Sequence, residues 1–193
     1  MHPTSLRSET LERFLERLAS TEPAPGGGGA AAVATAMAAA LVEMAAGLST
    51  DQVDDATGVG ATAGGIRRRA LTLADEDAAA YRRVLAAYRL SRDSDPDARR
   101  GAIREALEGA TAVPLEIAGL AADVAGLGDR LVADGNPNLE GDAAAAVLLA
   151  RAAARAAARL VDINVAQGAL EGDWCERAAA HVARAETPRP ATG

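Results

Sequence analysis

Two carboxylates, Asp75 and Asp77, lie in the middle of a helical pattern and are candidate proton carriers. Leu73, Asp77, Tyr81, Val84 and Tyr88 recur at spacings of three and four, which puts Asp77 on an apolar helix face. Residues two apart on a helix project about 200° apart, so Asp75 faces elsewhere. An ionised carboxylate on an apolar face is costly unless paired. Asp77 is therefore either a proton-transfer group or the partner of an Arg from a neighbouring helix. Amide chemistry is the other resource: Asn136, Asn138 and Asp142 surround a turn, and Asn164 is embedded among apolar residues. A buried Asn commonly bonds backbone in a neighbouring segment, so Asn164 has a structural reading as well as a binding one.

Other chemistries lack their groups. Cys175 is the only cysteine and lies on a late peripheral helix, while the two histidines, His2 and His181, lie near the ends. This does not suit a thiol enzyme. There is no Cys pair, no His pair at i, i+4 and no loop with calcium spacing, so no metal is expected.

The stretch from Pro23 to Ala40 must position a ligand if one binds. It reads Pro-Ala-Pro, then Gly26 to Gly29, then a helix built almost entirely of alanine. The glycines free the backbone for φ above zero and let a ligand approach the main chain. The first N–H groups of the following helix have no internal partner and suit an anionic or carbonyl-bearing ligand. Pro25, Gly26, Gly27 and Gly28 are the candidate cradle. The same glycines would equally serve close helix packing.

With 193 residues the chain suits one domain, spanning 1–187 with a frayed tail over 188–193. Hydrophobic residues make up 49% but aromatics only 2%, so the core must come from closely approaching helices. Ala and Gly are poor strand residues and no run alternates with period two, which predicts an all-α bundle of about five to seven helices. The net charge of -7 disfavours nucleic acid and acidic membranes as partners. All 20 basic residues are Arg. The lone cysteine and an acidic N-terminal segment unlike a signal peptide predict a cytoplasmic protein. Residues 29–48 are apolar enough to mimic a membrane span, but Glu43 and the excess of Ala favour a buried helix.

In chain order, Ser5 or Ser8 is expected to cap a first helix with Leu11, Phe14, Leu15 and Leu18 on one face. An alanine helix over about 30–48 is expected in the middle of the bundle, followed by a loop over 49–65 that partly continues as helix. A long helix covers about 63–90. Ser94-Asp95-Pro96 signals the next, running towards Gly109, and Pro114 is expected to bend or restart it. A further run reaches Val132, the turn follows, and Asp142 opens a helix to about Leu170. Its Arg151, Arg155 and Arg159 form a stripe expected to face solvent or another subunit. A helix over about 173–185 closes the domain.

Six features in this order, none specific alone, resemble the cyclodeaminase/cyclohydrolase family. They are Leu18-Ala-Ser-Thr-Glu-Pro-Ala-Pro-Gly-Gly-Gly, Asp77-Ala-Ala-Ala-Tyr81, Arg100-Gly-Ala-Ile, Ala110-Thr-Ala-Val-Pro114-Leu, Gly135-Asn-Pro-Asn138 with Asp142, and Ile163-Asn164. The resemblance covers nearly the whole chain. It implies an all-helical domain that forms a homodimer, with a folate site near the glycine loop and Asp77 as catalytic acid or base. It also implies that Tyr81, Arg100, Asn136, Asn138, Asp142 and Asn164 belong to the substrate site, Arg100 as the cation for the glutamate tail. The chain departs from the family pattern at Gly29, Gly141, Tyr81, Ser91-Arg92, Thr50-Asp51-Gln52 and Leu160.

The activity implied is that of a methenyltetrahydrofolate cyclohydrolase, with formiminotetrahydrofolate cyclodeaminase as the alternative and a non-catalytic folate-binding or assembly protein as the rival. Either reaction uses a tetrahydrofolate derivative as substrate and no further cofactor. The absence of a formiminotransferase partner in the same sequence favours the cyclohydrolase.

Overall fold

The structure is a computed structural model in which residue 5, residues 8–91 and residues 95–188 are described. His2, Arg92, Ser94 and all of the expected tail after Pro188 lie outside these residues. Among the described residues the chain forms six α-helices and a 3-10 turn between the fourth and fifth, and no strand.

The helix α1 (Leu11–Leu18) is capped by Thr10, whose hydroxyl accepts the Arg13 N–H, and not by Ser5 or Ser8. Of its expected apolar face only Phe14 is buried, while Leu11 and Leu15 are exposed. The alanine helix α2 (Gly27–Gly47) starts earlier than its composition suggests, because Gly27, Gly28 and Gly29 are already its first turn. The expectation of positive φ in the glycine run is wrong. Gly26, the residue before the helix, has φ -133, and Gly172 is the positive-φ glycine among the described residues.

The helix α3 (Ala56–Tyr88) begins seven residues before the expected Ala63. Asp55, at φ 58, is its N-cap and accepts the Gly58 N–H. The glycines that suggested a loop lie inside α3 and serve close packing. A β-carbon on Gly64 would stand 2.8 Å from Glu43 Oε1 on α2, and Glu43 in turn pairs with Arg67 at 2.8 Å.

The helix α4 (Pro96–Asp134) starts with Asp95 as N-cap and Pro96 in its first turn, then runs through Pro114 without a break. The helix does not restart at Pro114. A 3-10 turn (Pro137–Leu139) leads directly into α5 (Glu140–Gly168), so α5 begins two residues before Asp142. It ends where Ala169 turns left-handed at φ 46. The last helix is α6 (Trp174–Glu186).

Helices α2 to α5 form the bundle, with α6 laid across α4 and α5. Along one core cluster Ala38, Ala39 and Ala46 of α2 meet Ala121 and Ala125 of α4 and Ala150 and Ala154 of α5. Side chains this small let helix axes approach near the short end of the usual 8–10 Å. The helix α2 is less enclosed than expected: 56% of its most apolar stretch is buried, against 67% for α4. Both are long and apolar enough to cross a bilayer, as core helices can be. Met37, Ala40 and Met44, continued by Leu48 just past its end, form the open stripe of α2.

Of the arginine stripe of α5, Arg155 and Arg159 are exposed, as expected, and Arg151 is turned inward. Arg151 donates to Asp129 of α4 and to the Ala185 carbonyl of α6, Arg155 pairs with Glu186 of α6, and Arg159 approaches Asp162 only at 3.9 Å.

Candidate active site

A cavity of about 320 Å³ opens where α2 begins. Its rim is the segment of Pro23, Ala24 and Gly26 with the first turn of α2, Gly27 and Gly28. Arg17 of α1 fixes this segment by donating to the Ala24 carbonyl at 3.3 Å while pairing with Glu9 at 2.6 Å. Three helices each add one strip at helical spacing. The strip from α3 is Asp77, Tyr81 and Val84, that from α4 is Leu107, Ala110 and Pro114, and that from α5 is Leu160, Ile163, Asn164 and Gln167.

Asp77 is the ionisable carboxylate of the wall. It is half-buried, and no ion pair to it occurs among the described residues. Burial pushes its pKa above the ordinary carboxylate value, and a hydrogen bond from the Gly29 backbone opposes that shift. The carboxylate thus sits at the start of α2, on an N–H group the helix itself leaves unpaired. Its space exists because position 28 is glycine: a β-carbon there would overlap the carboxylate. Asp75 is not part of this wall, and its Oδ2 accepts a hydrogen bond from Ser5 at 2.5 Å. Arg69, eight residues before Asp77 on α3, is held by Glu76 and Glu116, whose carboxylates push its pKa higher still.

Such a site can accept and return a proton at a half-buried carboxylate, offer helix N-terminal N–H donors, and enclose a ring between apolar side chains. Gly26, Gly27, Gly28, Asp77, Tyr81 and Asn164 come together here. Pro25 is buried behind the rim, beside Gly29, and is not on the wall.

The remaining candidates lie elsewhere. Arg100 is exposed near the start of α4 and pairs with Asp97. Asn136 donates its side-chain N–H to the Leu48 carbonyl at 3.1 Å and its backbone N–H to Ser49 Oγ at 2.9 Å, at the far end of α2. A helix of that length spans about 30 Å, which separates Asn136 from the cavity in one chain. Asn138 takes part in the same turn, its N–H donated to Asn136 Oδ1, and Asp142 is exposed in the first turn of α5. Gln167 is a wall residue the sequence reading missed. Its position three after Asn164 was the available signal. Among the described residues no cluster of three metal-binding side chains occurs.

Comparison with known proteins adds to this geometry. The chain is 39% identical over 165 residues to a methenyltetrahydrofolate cyclohydrolase of Methylorubrum extorquens, covering 81% of this chain and 79% of that one. The fold superposes with a TM-score of 0.83 on the crystal structure of a formiminotetrahydrofolate cyclodeaminase from Thermotoga maritima, at 26% identity, over 93% of this chain and 91% of the other. The Formiminotransferase-cyclodeaminase family model matches residues 10–183, and a match of that extent makes this chain a member of the family.

Proposed function

We propose that the protein is a methenyltetrahydrofolate cyclohydrolase, converting 5,10-methenyltetrahydrofolate and water to 10-formyltetrahydrofolate. The observation that carries this is Asp77: a carboxylate with no counter-ion among the described residues, on a half-buried wall, held beside the N-terminus of α2 with its pKa raised. Water attacks the methenyl carbon and gives its proton to the carboxylate, forming a tetrahedral carbon between N5 and N10. The carbon–N5 bond then breaks as N5 takes that proton from Asp77 and the hydroxyl on the tetrahedral carbon releases its own proton to solvent, leaving the formyl group on N10. A carboxyl whose pKa is lifted towards neutrality suits both transfers.

The cavity lies at the small end of the range for ligand sites, a size for the pterin head with the glutamate tail outside. Exposed Tyr81 at the mouth offers a ring against which the head can stack. The identity to a named cyclohydrolase favours this reaction over cyclodeamination.

Purified protein mixed with 5,10-methenyltetrahydrofolate should remove its absorbance above the spontaneous rate. Formation of that absorbance from 5-formiminotetrahydrofolate would assign the cyclodeaminase instead, and no change in either would leave a binding or assembly protein.

A homodimer is part of the same proposal. The uncharged open stripe of α2, with Leu148 of α5 at 67% exposure, is the surface a second copy would cover.

A further inference from the structure

Pro114 lies inside α4 and has no N–H, so the Ala110 carbonyl four residues earlier is denied its helical partner. Asn164 of α5 supplies the missing donor: its Nδ2–H reaches Ala110 O at 2.8 Å. A carbonyl oxygen only accepts, so the NH2 end of the amide must face it, and this fixes the orientation of the side chain. Asn164 Oδ1 has no partner among the described residues and is the end left for the cavity, whose wall includes Ala110, Pro114 and Asn164 alike.

We propose that Asn164 is a positioning residue that presents Oδ1 as a hydrogen-bond acceptor to an N–H of the pterin ring, with Pro114 setting which way the amide points. The proposal rests on the folate reading above. A carbonyl oxygen repels the anionic glutamate tail but suits the ring N–H and exocyclic amine of the pterin head. The donors of the opposite wall, at Gly27 and Gly28, are left for acceptor atoms. The proline and the asparagine are thus one device on two helices: the first removes a donor from α4, and the second replaces it at the cost of its own freedom to flip.

The test uses Asn164→Ala, Pro114→Ala and the double variant, with melting temperature, kcat and KM measured for 5,10-methenyltetrahydrofolate. Asn164→Ala leaves the Ala110 carbonyl unsatisfied and should lower the melting temperature. In the Pro114→Ala background an alanine N–H satisfies that carbonyl, so adding Asn164→Ala should cost little further stability. Substrate recognition should behave differently. Loss of one neutral hydrogen bond should raise KM about 3- to 10-fold relative to each parent, with kcat falling less. A double variant whose KM equals that of Pro114→Ala would show that Asn164 only plugs the carbonyl, and would overturn the proposal. A wild-type protein with no turnover of the methenyl compound would instead overturn the functional reading, and the ligand named here with it.

Discussion

Asp77 occupies the volume that any side chain at Gly28 would need. A β-carbon on Gly28 would overlap the near oxygen of the carboxylate and stand 2.6 Å from the far one. Gly27 is different, because a β-carbon there meets only the Leu160 methyls at 3.8 Å.

Gly28→Ala should therefore displace the carboxylate and lower turnover at least about 10-fold, while Gly27→Ala loses much less. Steady-state kinetics on the two folded variants checks this. Equal losses would mean that the glycines act through the backbone and not through room for Asp77.

Asp77→Asn keeps the shape and removes the proton carrier, so turnover should fall roughly 100-fold or more. Stability should move the other way. Burial raises the folded pKa above 3.8, so above that value the folded protein holds more protons than the unfolded chain and loses stability as pH rises, up to the raised pKa. The Asn variant lacks this penalty. Its melting temperature should match the wild type below about pH 3.8 and equal or exceed it at neutral pH. A lower melting temperature at pH 7 would make Asp77 a structural strut.

The base form of Asp77 is required for attack by water. Activity as kcat/KM should therefore rise through an apparent pKa above the ordinary carboxylate range, and that acid limb should vanish in Asp77→Asn. The pH profile of the two proteins measures it.

Arg151→Ala should destabilise the fold by about 2 kcal/mol, since it strips the donor from Asp129, itself only 11% exposed, and from the Ala185 carbonyl. Arg159→Ala, whose ion pair is long and exposed, should change stability by less than about 0.5 kcal/mol. Urea unfolding of both variants provides the comparison.

Met44→Glu places a charge on the open stripe of α2. If a second copy covers that stripe, the variant should be monomeric by light scattering where the wild type is a dimer, with an unchanged helical spectrum.

The all-α class was legible because alanine excess, scarce aromatics and threefold-fourfold apolar spacing all point the same way. The register of α3 was legible too, since Leu73, Tyr81 and Val84 fix the phase that puts Asp77, and not Asp75, on the cavity wall. Glycine was the weak point. Gly58, Gly60 and Gly64 look like a loop, but they lie in a helix: a β-carbon on Gly58 would overlap the capping carboxylate of Asp55, and one on Gly64 would crowd Glu43 of α2, a closeness that only the tertiary structure shows. Pro114 misled for a related reason: the partner that rescues its neighbour's carbonyl is Asn164, 54 residues from Ala110. Asn136, Asn138 and Asp142 carry the polarity expected of a site, but Asn136 and Asn138 cap a turn and Asp142 faces solvent on the first turn of α5.

The alanine core sets an unusual direction for mutational drift. Shrinking a fully buried Ala39, Ala121 or Ala154 can remove only one methyl, worth about 0.8 kcal/mol, besides the helix penalty of Gly at about 1 kcal/mol. Enlarging it has no slack to use and costs about 1–3 kcal/mol or more, repeated wherever helices touch. In a leucine core truncation is the expensive step, at about 2–5 kcal/mol per residue. Here the two directions differ in kind more than in size: loss is bounded at a single methyl, whereas gain forces helices apart, so the alanines between α2, α4 and α5 pin the spacing of those helices.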